Sequence, residues 1–141
     1  SQREILSLNL SVGSRLPVYN STSGRVLTAF LPDQQRHEVL QRLLVDPAAK
    51  AWLESRAVKL AEVWDQAREQ GYAVVDGEYL PELFAVGAPV VAGDGQVEAA
   101  VSVALLRRGQ GRQELLDRVL EPLLTCTSRI SAVLGRQRVV S

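Results

Sequence analysis

The 141-residue chain has few side chains able to do covalent or metal chemistry. His37 is its one histidine and Cys126 its one cysteine. His37 lies between Arg36 and Glu38, the setting of a solvated helix face. Cys126 lies beside the apolar positions of a helical repeat, where a small buried filler is expected. A nucleophile pair made of these two would need a tertiary coincidence. One histidine, one cysteine and scattered carboxylates give no metal-ligand spacing. Gly93-Asp94-Gly95 reads as a turn, because no Lys or Ser/Thr follows at the spacing of a phosphate loop. Asp76, Glu78 and Cys126 are what a small enzyme would have to use, and nothing in the pattern indicates a cleft that perturbs their titration. No catalytic residue, metal or cofactor is expected.

Binding chemistry is better represented. In residues 16–32, Ser21, Thr22, Ser23 and Gly24 come just before an apolar run of Val26, Leu27, Ala29, Phe30 and Leu31. Small hydroxyl residues in that position signal a helix N-terminus. Such an end carries unpaired N–H groups and partial positive charge, so it can hold a small carboxylate. Plain helix capping would use the same residues, and the residues alone do not separate the two roles. A second hydroxyl, Ser102, sits inside the apolar run Ala99-Ala100-Val101-Ser102-Val103-Ala104. If buried it must find a partner, either a ligand or the backbone.

The elements that would position these residues follow from periodicity. Ile5, Leu8 and Leu10 fit an edge strand, and residues 16–19 read as extended, with Pro17 at an edge or bend. A helix from about Ser23 ends by Pro32. Asp33 is expected to cap a second helix, 34–44, with Val39, Leu40, Leu43 and Leu44 inward. Asp46-Pro47 opens a short helix to about Glu54. Ser55 is expected to cap the next, whose stripe is Leu60, Val63, Trp64 and Ala67 and whose C-terminal cap is Gly71. Residues 72–75 are strand-like and Asp76-Gly77 marks a turn. Two apolar runs, 83–91 and 97–106, flank Ala92-Gly93-Asp94-Gly95-Gln96, a hairpin signal. A long helix then carries Leu116, Val119, Leu123, Thr127, Ile130 and Leu134 at helical spacing, with Pro122 inside it. Grouped helices and an antiparallel hairpin give an α+β domain with helices packed on a sheet.

The length fits one domain, residues 1–141, with a real core. Lys and Arg number 16, as do Asp and Glu. No segment is strongly basic, so this chain by itself is a poor nucleic-acid binder. No apolar run has membrane-spanning length and no signal peptide is visible. A single cysteine allows no intrachain disulfide, which fits a reducing, cytoplasmic setting. The sequence has no methionine, so a piece of a longer protein is expected.

Several segments, in order, resemble the effector-binding domain of IclR-type transcriptional regulators. They are Val12-Gly13-Ser14-Arg15-Leu16-Pro17 with Ser23-Gly24-Arg25, then Arg68-Glu69-Gln70-Gly71-Tyr72-Ala73, then Phe84-Ala85-Val86-Gly87-Ala88-Pro89-Val90, then Ala99-Ala100-Val101-Ser102-Val103, and the closing Arg129-Ile130-Ser131-Ala132-Val133-Leu134-Gly135. The resemblance covers nearly the whole chain. It implies a GAF-like or profilin-like antiparallel sheet with packed helices and a ligand pocket on one face. It also implies a small-molecule effector, self-association as a homodimer or homotetramer, no membrane partner, and DNA contact only through an N-terminal winged helix-turn-helix domain absent from this sequence.

By the same resemblance the pocket is formed by Ser21, Thr22, Ser23, Gly24, Leu83, Ala85 and Ser102, with Ala104 on the same strand face as Ser102. Ile5, Leu8 and Leu16 would form an apolar wall, although ordinary core packing accounts for such residues equally well. Relatives often carry an acid near Val75, Gly at Glu82, Cys or Ser at Ala85, and a second hydroxyl at Ala104. This chain has lost polar anchors at three of those positions, so a roomier, more apolar pocket is expected, holding an organic acid with an aromatic or alkyl body. Asp76 would replace the lost acid from one position away. The alternative is an interaction module whose pocket has collapsed onto its own side chains.

Overall fold

The computed structural model describes residues 17–140, and side chains as far as residue 135. In chain order the elements are α1 (Thr22–Ala29), α2 (Asp33–Leu44), α3 (Pro47–Ser55), α4 (Leu60–Gln70), β1 (Ala73–Asp76), β2 (Leu83–Val91), β3 (Val97–Leu106) and α5 (Arg112–Val140). The strands form an antiparallel sheet in the order β1-β2-β3. The α+β class and antiparallel hairpin expected from the sequence are present. The strand read from Ile5, Leu8 and Leu10 lies outside the described residues.

Local chemistry explains most boundaries. The Asp46 carboxylate accepts from the N–H groups of Ala48 and Ala49, and Pro47 fills the first turn of α3, where its missing N–H costs nothing. Gly71 ends α4 at φ 91°, a conformation that only glycine adopts freely. The β2–β3 turn closes with Ala92 donating to Gln96 O at 2.7 Å and Gly95 donating to Ala92 O at 3.0 Å. The Asp94 carboxylate accepts from the Gln96 N–H at 3.0 Å.

Some expectations are corrected. Residues 17–20 form a turn and are not extended. The Ser21 hydroxyl donates back to Pro17 O at 3.1 Å and pulls the chain round. Asp33 does not cap α2; it pairs with Arg36 in the first turn, and Pro32 takes the cap position without a side-chain bond. Ser55 closes α3, its hydroxyl donating to Trp52 O, and Lys59 precedes α4. The inward stripe of α5 is Leu115, Val119, Leu123 and Thr127, while Ile130 is 38% exposed. Cys126 is exposed and is not a core filler.

The sheet has helices on both faces. Side chains alternate along each strand, and directly paired residues share a face. Val74 pairs with Val86, Asp76 with Phe84, Phe84 with Leu105, and Val86 with Val103, all on one face. There Phe84, Val86 and Ala88 pack with Leu115, Val119 and Leu123 of α5. Ala73 pairs with Gly87, Val75 with Ala85, Gly87 with Ser102, and Ala85 with Ala104, on the other face. α1 lies across that face, and α4 packs on α1 and β1. Val26, Ala29, Leu60, Trp64, Ala67 and Ala73 form the second core cluster, with Val39, Leu40 and Leu43 of α2 against it.

Candidate functional site

The α1 side of the sheet gathers small residues and hydroxyls. Gly87 is the reason α1 can approach so closely. A Cβ built on Gly87 would sit 2.9 Å from Thr22 Cβ and 3.1 Å from Ser102 Oγ. With no side chain there, the first turn of α1 rests on the strand backbone. This brings Thr22 Oγ1 within 2.7 Å of Ser102 Oγ, and Ser23 Oγ within 2.7 Å of the same atom. Three hydroxyls own three protons, and the two bonds among them use two. Among the described residues, the third O–H has no assigned acceptor.

The start of α1 adds backbone donors. Ser21 is its N-cap; its hydroxyl accepts from the Gly24 N–H at 3.0 Å, and its carbonyl accepts from the Arg25 N–H at 3.0 Å. Thr22 and Ser23, the first two helical residues, have no acceptor within the helix. The Gly24 N–H is therefore committed to the cap, and among the described residues the donors without an assigned acceptor belong to Thr22, Ser23 and the hydroxyl cluster. Gly24 serves another purpose: a Cβ there would lie 2.6 Å from Val18 Cα, so the 17–20 turn can fold against α1 only because residue 24 is glycine.

The other expected residues divide. Ala85 and Ala104 pair directly, on the same face as Ser102, and Leu83 lies one step further along that face. Ala85 is 9% exposed, whereas Ser102 and Ala104 are open on β3. Ser21, Thr22, Ser23, Gly24, Leu83, Ala85, Ser102 and Ala104 thus belong to one region. Asp76 does not join them. It pairs with Phe84 on the α5 face, where its carboxylate accepts from Arg107 Nη1 at 2.7 Å and lies 3.5 Å from Arg112 Nη1. The Arg107 hydrogen bond holds the Asp76 carboxyl below the usual value, against the opposing effect of burial. Ile5, Leu8 and Leu16 lie outside the described residues. His37 is exposed, and among the described residues no group of His, Cys, Asp or Glu could hold a metal. No described helix is long and apolar enough to cross a membrane.

Sequence reasoning missed Arg25. This side chain is 0% exposed. Its Nε donates to Tyr19 O at 2.8 Å, and its two Nη atoms grip the Glu78 carboxylate at 3.0 and 2.6 Å. A cavity of about 200 Å³ beside it is lined by Arg25, Val63, Gln66, Gln70, Ala73, Val74, Glu78 and Arg112. A basic residue at a position that must be inward on α1 was the available signal, but its acidic partner stands 53 residues away.

The sheet is thus sandwiched between helices, with a hydroxyl-lined helix start on one face. The family described as bacterial transcriptional regulator IclR C-terminal matches residues 1–132, and the chain belongs to that family. It is 35% identical over 125 residues to the Pca regulon regulatory protein of Pseudomonas putida, covering 89% of this chain and 42% of that protein. It therefore spans less than half the length of this curated relative. The C-terminal domain of the Escherichia coli transcriptional regulator KdgR superposes with a TM-score of 0.68 at 26% identity, over 87% of this chain and 74% of that one. The inducer-binding domain of the PobR transcription factor from Acinetobacter, a double mutant in complex with 3-hydroxybenzoic acid, shares the fold. Its TM-score is 0.66 at 21% identity, over 84% of this chain and 67% of that one. These relatives are transcriptional regulators, not enzymes.

Proposed function

We propose that this domain senses a small organic carboxylate for a regulator that contacts DNA through a separate N-terminal winged helix-turn-helix domain in the cytoplasm. The observation that carries the reading is the hydroxyl cluster of Thr22, Ser23 and Ser102 on a face of small side chains. The donors left over there match an acceptor-only group such as a carboxylate. The aromatic or alkyl body of the acid lies against Leu83, Ala85 and Ala104. The ligand acts by its differential affinity for alternative arrangements of a homodimer or homotetramer. The 3-hydroxybenzoic acid held by the related PobR domain makes an aromatic acid the first probe.

One observation favours a second reading, an interaction module with a collapsed pocket. The hydroxyls already bond one another and the Gly24 N–H is already capped. A thermal-shift panel of benzoate, 3-hydroxybenzoate, pyruvate and aliphatic acids separates the two, because a ligand that binds only the folded state raises the melting midpoint with its occupancy. The sensor reading expects a hit that Ser102→Val abolishes. A folded domain that no acid shifts supports the collapsed pocket.

A further inference from the structure

The buried Arg25 belongs to a closed ring of contacts that joins the start of α1, the 77–82 connection and α3. Arg25 binds the Tyr19 carbonyl and the Glu78 carboxylate. The Glu78 carbonyl accepts from Arg56 Nε. The Arg56 guanidinium stacks on Trp52, 4.3 Å from the ring centroid. The Trp52 ring meets the Tyr19 ring edge-on at 5.5 Å and 61°, which closes the circuit.

Three segments distant in sequence are joined in this way. The 17–20 turn leads into the Ser21 cap and the hydroxyls of Thr22 and Ser23. The 77–82 connection leads into Leu83 and Ala85. α3, whose last turn carries Trp52 and whose C-cap is Arg56, stands outside both. The cation and the carboxylate sit at different depths. Arg25 is fully buried, while the Glu78 side chain retains 23% exposure and Arg56 faces solvent. A buried guanidinium whose carboxylate withdraws cannot simply turn to water. Release of the 77–82 connection is therefore resisted by α1 as well as by its own local bonds.

We propose that Arg25 and Glu78 are positioning residues: the Tyr19–Arg25–Glu78–Arg56–Trp52 ring locks the start of α1 and the 77–82 connection into one register, so that the two sides of the ligand face move together. The consequence for affinity rests on the carboxylate-sensing reading above; the mechanical coupling does not. Effector occupancy and the position of α3 are then linked, since anything that shifts α3 strains the ring.

The test uses the solvent-facing member. Arg56→Gln removes the stack and weakens the bond to the Glu78 carbonyl while leaving the buried pair in place, so the fold survives. Hydrogen exchange is read at amides with assigned acceptors: Gly77 and Leu83 on the connection, Gly24 and Arg25 on α1, and Val91, bonded to Ser131, as a remote control. The ring predicts exchange at least tenfold faster at both the connection and the α1 pair, with Val91 unchanged. Faster exchange confined to the connection would overturn it, because Arg56 has no assigned bond to α1. Tyr19→Leu removes the other ring contact but keeps the carbonyl. Combined with Arg56→Gln, it should change α1 exchange non-additively, and strict additivity would count against the ring. 3-Hydroxybenzoate affinity is measured on the same proteins, with a several-fold loss in each variant expected. If no carboxylate binds even the wild type, the sensor reading fails while the exchange result still decides the ring.

Discussion

The two faces of the sheet are held by different physics. Against α5, Phe84, Val86 and Ala88 meet Leu115, Val119 and Leu123, and packing of apolar side chains does the holding. Against α1 the strands offer Ala73, Val75, Ala85, Gly87, Ser102 and Ala104, mostly small side chains that let the helix approach closely. The helix adds polar groups. Thr22, Arg25 and Thr28 are all buried and all on α1, whereas among its described side chains α5 buries only Thr127 as a polar group. Thr28 donates to Gly24 O at 2.6 Å and Arg25 pairs with Glu78. Both faces carry an apolar cluster, but only the α1 face adds a set of directional polar bonds to it.

The sharpest way to break this contrast is to cut equally into each side. Phe84→Ala empties the α5 core and should cost about 3–5 kcal/mol in urea unfolding. Carboxylate affinity of the surviving folded protein should hardly change. A large loss of affinity with little loss of stability would mean that the roles of the two faces are reversed. Gly87→Ala inserts one methyl between β2 and α1, where Thr22 stands 2.9 Å away. It should cost about 1–3 kcal/mol by overpacking. It should also abolish the acid-induced thermal shift, since α1 must rise and carry Thr22 and Ser23 off Ser102.

Smaller effects sharpen the picture. Asp76 belongs to the α5 face and is tied to Arg107. Its carboxyl is held below the ordinary value of 3.8. The folded state therefore binds this proton less readily than the unfolded chain. The pair's contribution is present at neutral pH, persists down to the ordinary value, and is lost as pH falls through the lower folded value. Asp76→Asn should thus be less stable than wild type at pH 7, with the gap closing in strong acid and carboxylate binding intact. Loss of binding in Asp76→Asn would return Asp76 to the ligand site. The smallest expected effect is at Ala57, which ends α3 at φ 53°, a left-handed conformation unfavourable for a residue with a Cβ. Ala57→Gly should raise stability by up to about 1 kcal/mol in thermal unfolding.

What could be read from the residues was what local chemistry decides. The hairpin was legible because two apolar runs flank Gly93-Asp94-Gly95, and α3 and α4 because Asp46-Pro47 and Gly71 punctuate them. Ser102 was legible as a hydroxyl in need of a partner, and Thr22 and Ser23 supply two. The misplacements came from phase. Ending β1 at Val75 treated Asp76 as a free loop acid, whereas the strand continues one residue and alternation turns Asp76 to the opposite face. Anchoring the α5 stripe on Leu116 hid the inward Leu115. The 17–20 turn depends on Gly24 making room for Val18, a contact that propensity does not encode. The Arg25–Glu78 pair joins positions that only the tertiary fold brings together.

The central claim is that the α1 face, and not the α5 face, receives the ligand. Amide chemical-shift mapping during titration with 3-hydroxybenzoate, or with the first acid in the panel that raises the melting midpoint, tests it directly. The account predicts shifts centred on Thr22, Ser23, Ser102 and Ala104, with Leu115, Val119 and Val103 unmoved. Shifts centred on α5 and its strand partners, or none with any acid in the panel, would contradict it.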